Sequence, residues 1–168
     1  MKVFGIAGFK NAGKTTLVVD LIKEFKSRGI RVATVKHAHH DFDIDHPGKD
    51  SHQHRSAGAE EVIVVSARRW AHIKELESSP EPDLEEILSR LGDVDLALVE
   101  GYKHGGHPKI ELLRAGIEPP KRLAGVDPSV RAVVSDGEAE TAGLPLLDRG
   151  DVPAIADFVM TQAFEGPF

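Results

Sequence analysis

Eight residues near the start of the chain, Gly8-Phe9-Lys10-Asn11-Ala12-Gly13-Lys14-Thr15, restrict the possible folds more than any other feature. They match G-x-x-x-x-G-K-[ST] at every fixed position, and that string has mechanical meaning only between a buried strand and a helix. Both flanks are present. Val3 to Ala7 is an apolar run, and Leu17, Val18, Leu21, Ile22 and Phe25 recur afterwards at helical spacing. Gly29 closes that helix, and Ile30 to Val35 reads as a second strand rich in β-branched residues. Strand, glycine turn, helix and strand in succession form a βαβ unit, which requires parallel strands. The expected fold is therefore α/β, a mostly parallel sheet flanked by helices.

The remaining chain is consistent with that class. Val62 to Val65 is an apolar run of strand length, and Trp70 to Ile73 reads as a short edge strand after a turn at Ala67–Arg69. Asp83-Leu84-Glu85-Glu86 resembles a capping box, opening a helix that runs to Leu91 and stops at Gly92. Leu96 to Val99, Ile110 to Leu113 and Ala132 to Val134 are further strand candidates, and Asp151 is placed to cap a last helix carrying Ile155, Phe158 and Val159. Glu118 to Pro128 is proline-rich and reads as loop. No repeat or linker divides the 168 residues, which suits one domain spanning 1–168. Lys and Arg number 21 against 27 Asp and Glu, a net charge of -6, which argues against a general nucleic-acid binder. With no cysteine, the chain has no disulfide, thiolate metal site or cysteine nucleophile. No apolar run reaches the roughly 20 residues that span a bilayer, and Met1 to Gly8 carries no secretion signal, so a cytoplasmic location is expected.

The glycine turn supplies a phosphate site. Gly8 and Gly13 permit backbone conformations in which the N–H groups from Lys10, Asn11 and Ala12 onward curl around a phosphate, and the helix start adds its own free donors. In such a site Lys14 reaches the β- and γ-phosphates, the Thr15 hydroxyl binds Mg²⁺ and Thr16 donates to the α-phosphate. A triphosphate site also needs a carboxylate at the end of a neighbouring strand. Glu100, after Leu96-Ala97-Leu98-Val99, is the candidate, acting on the metal directly or through water. The Asn-Lys-x-Asp string that reads guanine is absent. Asp136, following the Ala132–Val134 strand, is either a substitute that accepts the guanine N–H groups or an ordinary turn residue before Gly137. On these residues alone, ATP and GTP stay open.

Between His37 and Gly58 the periodicity fails, and the stretch reads as irregular. His37, His39, His40, His46, His52 and His54 alternate there with Asp41, Asp43, Asp45 and Asp50. Three readings compete: a transition-metal site, a switch loop whose acids meet Mg²⁺ and whose cations meet phosphate, or a solvated polar loop. A second group, Lys103, His104, His107 and Lys109, follows Glu100 and, with Lys36 and Lys49, forms either a positive surface for a large anion or scattered surface charge.

Three stretches together resemble the MobB family of molybdopterin-guanine dinucleotide biosynthesis adaptors. They are the phosphate loop through Thr16; Val35-Lys36-His37 with Asp45-His46-Pro47-Gly48-Lys49-Asp50-Ser51; and Leu98-Val99-Glu100-Gly101-Tyr102-Lys103 with Pro108-Lys109. The loop alone is shared by many families, whereas the second and third stretches are far more specific. The resemblance runs nearly to Arg114 and is loose from Glu118 to Phe168. It implies a P-loop NTPase-like, GTP-binding protein that uses Mg²⁺, hydrolyses GTP slowly at most, and is typically a homodimer. It implies as partners the guanylyltransferase MobA and, further along, molybdopterin or apo-molybdoenzymes. Carried over by position, Gly13, Lys14, Thr15 and Thr16 bind phosphate and metal, Glu100 is the strand-end acid, and Asp45, Lys49 and Asp50 belong to a loop near the γ-phosphate, the two acids as metal ligands. Two rivals use the same loop: a metal-insertion GTPase with the histidines as ligands, and a small-molecule kinase.

Overall fold

A sheet built around the first strand positions everything else. In the computed structural model, which describes residues 1–38, 42–117 and 121–166, the elements in order are β1 (Lys2–Ala7), α1 (Lys14–Ser27), β2 (Val32–Lys36), α2 (Asp50–Ser56), β3 (Glu61–Val65), β4 (Trp70–Lys74) and α3 (Leu84–Ser89). They continue with β5 (Leu96–Glu100), β6 (Lys109–Leu112), β7 (Val130–Ser135), β8 (Leu146–Asp148), α4 (Val152–Gln162) and β9 (Phe164–Glu165). By contacts they form two units: Met1–His37 with Leu84–Phe168, and Ala38–Asp83.

The larger unit holds the sheet, in the order β2-β5-β1-β6-β7-β8 with every neighbour parallel. β6 starts only opposite Gly5, so the first residues of β1 on that side are paired instead by the short antiparallel β9, Val3 against Phe164. Side chains of alternate parity face opposite layers. Phe4, Ile6, Leu96, Leu98, Ile110 and Leu112 pack with Leu17, Leu21 and Phe25 of α1 and Ile155 and Val159 of α4. On the other face Val3, Val35, Ala97 and Val99 meet Leu88 of α3, while Ala7, Val130 and Val133 meet Leu123 and Ala124. Asp151 caps α4 as expected, its carboxylate accepting from the Ala154 N–H at 3.0 Å.

The smaller unit is an antiparallel hairpin, β3 against β4, with α2 beside β3. Its turn is closed by the Ser66 N–H donating to the Arg69 carbonyl at 2.8 Å. Arg55 of α2 anchors the preceding chain through Asp43 at 3.0 Å and Asp45 at 3.3 Å, and it reaches Glu75 at 2.6 Å. The expectation of an irregular stretch from His37 to Gly58 is corrected here: Asp50 to Ser56 is a helix. It buries no residue and so has no apolar stripe to betray it. No described helix is long and apolar enough to cross a membrane.

Candidate functional site

The carboxyl ends of β1, β2, β5 and β7 share one edge of the sheet, the position at which parallel sheets take ligands. The phosphate loop leaves β1 there. Gly8 is buried with φ +150°, and a Cβ on it would stand 2.6 Å from the Leu112 carbonyl oxygen, so the chain passes β6 more closely than any side chain allows. α1 then opens directly after Gly13 with no side-chain cap and no acid in its first turn. Its leading N–H groups are left for an anion, and nothing local competes for the positive end of the helix dipole.

Two of the expected side chains meet at this edge. Thr15 Oγ1 donates to Glu100 at 3.2 Å, joining the loop to the end of β5. A hydroxyl and a carboxylate at that distance are hard oxygen donors suited to Mg²⁺. Lys14 Nζ folds back on the Phe9 carbonyl at 2.9 Å, and Lys36 Nζ lies 3.9 Å from Glu100. Burial holds the Lys14 ammonium below its ordinary pKa; Glu100 opposes that, and the nearby Lys103 and Lys36 add to it. Lys14 therefore faces two further ammonium groups and one carboxylate, an excess of positive charge that a polyphosphate relieves. Lys10, Asn11 and Thr16 are exposed and Ala12 is half-buried.

Other expected residues have different employment. Asp136 sits exposed after β7, as expected, and its Oδ1 accepts the Ala115 N–H at 2.6 Å. Asp45, within the smaller unit, takes the Ser51 hydroxyl at 2.9 Å as well as Arg55, so its carboxylate holds α2 to the chain before it. Asp50 is the exposed first residue of α2. His39, His40 and Asp41 lie outside the described residues. Among the described residues no group of three or more His, Asp or Glu side chains is set to hold a metal.

The basic group after Glu100 is corrected. Lys103 and His104 reach solvent, but His107 is only 5% exposed and Lys109 is fully buried. Lys109 Nζ donates to Ser129 Oγ at 2.5 Å, to Asp127 at 3.2 Å, to the Lys103 carbonyl at 3.3 Å and to the Gly105 carbonyl. Burial lowers its pKa, and Asp127 works against the shift. Among the described residues neither ring nitrogen of His107 has a hydrogen-bond partner, and its imidazole is packed where a Cβ on Gly5 would lie 2.5 Å from Nε2. Desolvation, helped by Lys109, pushes its pKa down to about 4. Glu111, equally buried, accepts the Leu123 and Ala124 N–H groups at 2.9 Å each and faces Arg122 at 3.4 Å. The sequence signal for this network is the strand Lys109-Ile110-Glu111-Leu112 itself: in an interior strand, both parities are buried and the polar ones need partners.

A parallel sheet whose first strand feeds a glycine loop and an uncapped helix, with a strand-end acid against the loop hydroxyl, defines a P-loop nucleotide-binding fold. The family model described as molybdopterin guanine dinucleotide synthesis protein B matches residues 3–136, and the chain belongs to that family, MobB. It is 44% identical over 161 residues to the molybdopterin-guanine dinucleotide biosynthesis adapter protein of Escherichia coli (strain K12), covering 94% of this chain and 91% of that one. It is 40% identical over 160 residues to the protein of the same name in Haemophilus influenzae, covering 94% and 86%. A crystal structure of molybdopterin-guanine biosynthesis protein B superposes with a TM-score of 0.71 at 28% identity, over 95% of this chain and 98% of that one. These matches favour neither the kinase nor the metal-insertion reading.

Proposed function

We propose that the chain binds GTP with Mg²⁺ and serves as an adaptor in the guanylation of molybdopterin, in the cytoplasm, acting with the guanylyltransferase MobA. The observation that carries the nucleotide reading is the Thr15–Glu100 contact at the open end of an uncapped α1. Gly8 through Ala12 shape the loop, Gly13 to Thr16 bind the phosphates, and Thr15 and Glu100 are the oxygen donors for the metal. When bound, magnesium supplies positive charge at the β- and γ-phosphates. Lys14 gives up its carbonyl contact and turns to the phosphates, and Asp136, steadied by Ala115, accepts the guanine N–H groups with its second oxygen. Asp45 and Asp50, which the resemblance assigns to a loop near the γ-phosphate, belong to the Ala38–Asp83 unit, where Asp45 is held by Arg55 and Asp50 is exposed. Hydrolysis rests on positioning and charge alone and is slow.

In this reading the chain is one nucleotide-binding domain that includes the Ala38–Asp83 unit, and it works as a homodimer. Ile63, Val65 and Trp70 share one face of the hairpin and are 63%, 75% and 64% exposed, an apolar surface a second copy would cover. The test is reconstitution: the protein, GTP, Mg²⁺, molybdopterin-loaded transferase and an apo-molybdoenzyme are mixed and enzyme activity is followed. Stimulation that is lost with Lys14→Ala supports the adaptor role; equal activity with and without the protein refutes it.

A further inference from the structure

A cavity of about 780 Å³ opens between the 103–106 loop and the 121–131 segment, with Phe9 of the phosphate loop on its wall. Its charge is lopsided. Among the described residues, Lys103, His104, Lys121, Arg122 and Arg131 line it against a single acid, Asp127, which is already held by Lys109 and by the Ser129 hydroxyl and N–H. Arg122 is engaged by Glu111 and the Glu140 carbonyl, leaving Lys103, Lys121 and Arg131 as cations with no ion pair among the described residues. Between the cations the wall is apolar, from Phe9, Leu123 and Val126.

The cavity is also built rather than incidental. Lys109, fully buried, ties its two sides together by donating to the Lys103 and Gly105 carbonyls on one side and to Asp127 and Ser129 on the other. Lys103 connects it to the nucleotide edge: its Nζ stands 4.7 Å from the centroid of the Phe9 ring, and its charge is felt by Lys14. Yet only Phe9 of the phosphate loop lines the cavity, so its volume lies outside the loop that would hold a nucleotide.

We propose that this cavity is a second ligand site, which takes a small phosphorylated organic anion with a flat or apolar body while the phosphate loop holds its nucleotide. The phosphate pairs with Lys103 and Arg131, and the body lies against Phe9, Leu123 and Val126. This goes beyond the GTP reading and stands or falls separately from it. The phosphate loop supplies backbone donors to a polyphosphate; the cavity supplies side-chain cations and an aromatic wall to a monoester.

Pyridoxal 5′-phosphate is a suitable probe, because its aldehyde condenses with a lysine amine, releasing water, and borohydride reduces the imine to a stable amine. The full chain is saturated with guanosine 5′-[β,γ-imido]triphosphate and Mg²⁺, titrated with the probe, trapped and mapped by peptide mass spectrometry. One equivalent binds saturably, the adduct falls on Lys121, the lining lysine not engaged by the phosphate, excess inorganic phosphate added before reduction prevents it, and Arg131→Ala weakens binding at least fivefold without altering nucleotide affinity. Lys103→Met, which keeps the alkyl stem, weakens it similarly. The proposal is overturned if the nucleotide analogue abolishes labelling and the adduct maps to Lys14, if labelling spreads unsaturably over surface lysines such as Lys23 and Lys26, or if Arg131→Ala binds the probe unchanged. Lys14→Ala separates the two sites: it loses the nucleotide and retains the probe. A wild-type protein that takes the probe but no GTP defeats the nucleotide reading and leaves the cavity standing.

Discussion

Lys109→Met tests the buried network that shapes the site. Methionine reproduces most of the alkyl stem, so the change removes the ammonium and leaves little void. The Lys103 and Gly105 carbonyls and Asp127 Oδ2 each lose a donor inside a site where Lys109 is 0% exposed. Breaking a buried pair from one side costs about 3–5 kcal/mol. Asp127 retains the Ser129 N–H at 2.9 Å and the Ser129 hydroxyl at 2.5 Å, and its side chain is 22% exposed, which places the expected loss near the bottom of that range, about 3 kcal/mol. For a chain of this length that lowers Tm by roughly 6–12 °C. Urea unfolding measures it directly, and amide exchange should quicken at residues 103–106, whose carbonyls the ammonium holds. Adding Asp127→Asn, which removes the orphaned charge, should recover part of the loss. A cost below about 1 kcal/mol for Lys109→Met, or no recovery in the double variant, would refute the claim that the buried ammonium holds these loops together.

Three further outcomes follow from named contacts. His107 has a folded pKa of about 4 against an ordinary 6.5, so the unfolded chain binds more protons between those values. Stability is then complete above pH 6.5 and falls as pH drops toward 4, by about 3 kcal/mol at most; His107→Leu should flatten urea-derived stability across that window, whereas Asp95, held at about 2 first by its bond from Arg31, acts at lower pH. Gly8→Ala forces a Cβ to 2.6 Å from the Leu112 carbonyl at φ +150° and should cost about 2 kcal/mol or more, with GTP affinity at least tenfold weaker by calorimetry; a wild-type affinity would show that the loop tolerates a side chain there. If the hairpin face is the proposed homodimer contact, the parent should sediment with the mass of two chains and Val65→Asp with the mass of one, and an equal mass for both would refute that contact.

The legible parts of the fold were those with long apolar signals. β1, α1 and β5 bury nearly every residue of one face, and the phosphate loop and Glu100 could be placed from them because Gly8 directly follows β1 and Glu100 is the last residue of β5. β8 and β9, three and two residues long, are too short to show any period. The hairpin strand Glu61–Val65 carries apolar side chains into solvent, so its composition says strand but nothing about where it packs. Lys109 and Glu111 look like surface residues by type. They are buried because Leu123 and Ala124, within the Glu118–Pro128 stretch that reads only as proline-rich loop, and Ser129 just after it supply hydrogen bonds. The cavity was invisible for the same reason: its two sides are distant in sequence and meet through one lysine.

The central claim is that the edge formed by the phosphate loop and Glu100 binds a guanine nucleotide, and the most direct measurement is calorimetric titration of GTP and ATP into the parent chain and Lys14→Ala with Mg²⁺ present. The account expects one GTP per chain, weaker ATP binding, and no measurable heat of GTP binding in the variant, whose urea stability should stay close to that of the parent because, among the described residues, the Lys14 ammonium makes one hydrogen bond, to the Phe9 carbonyl. Equal GTP affinity in the parent and in Lys14→Ala would contradict it.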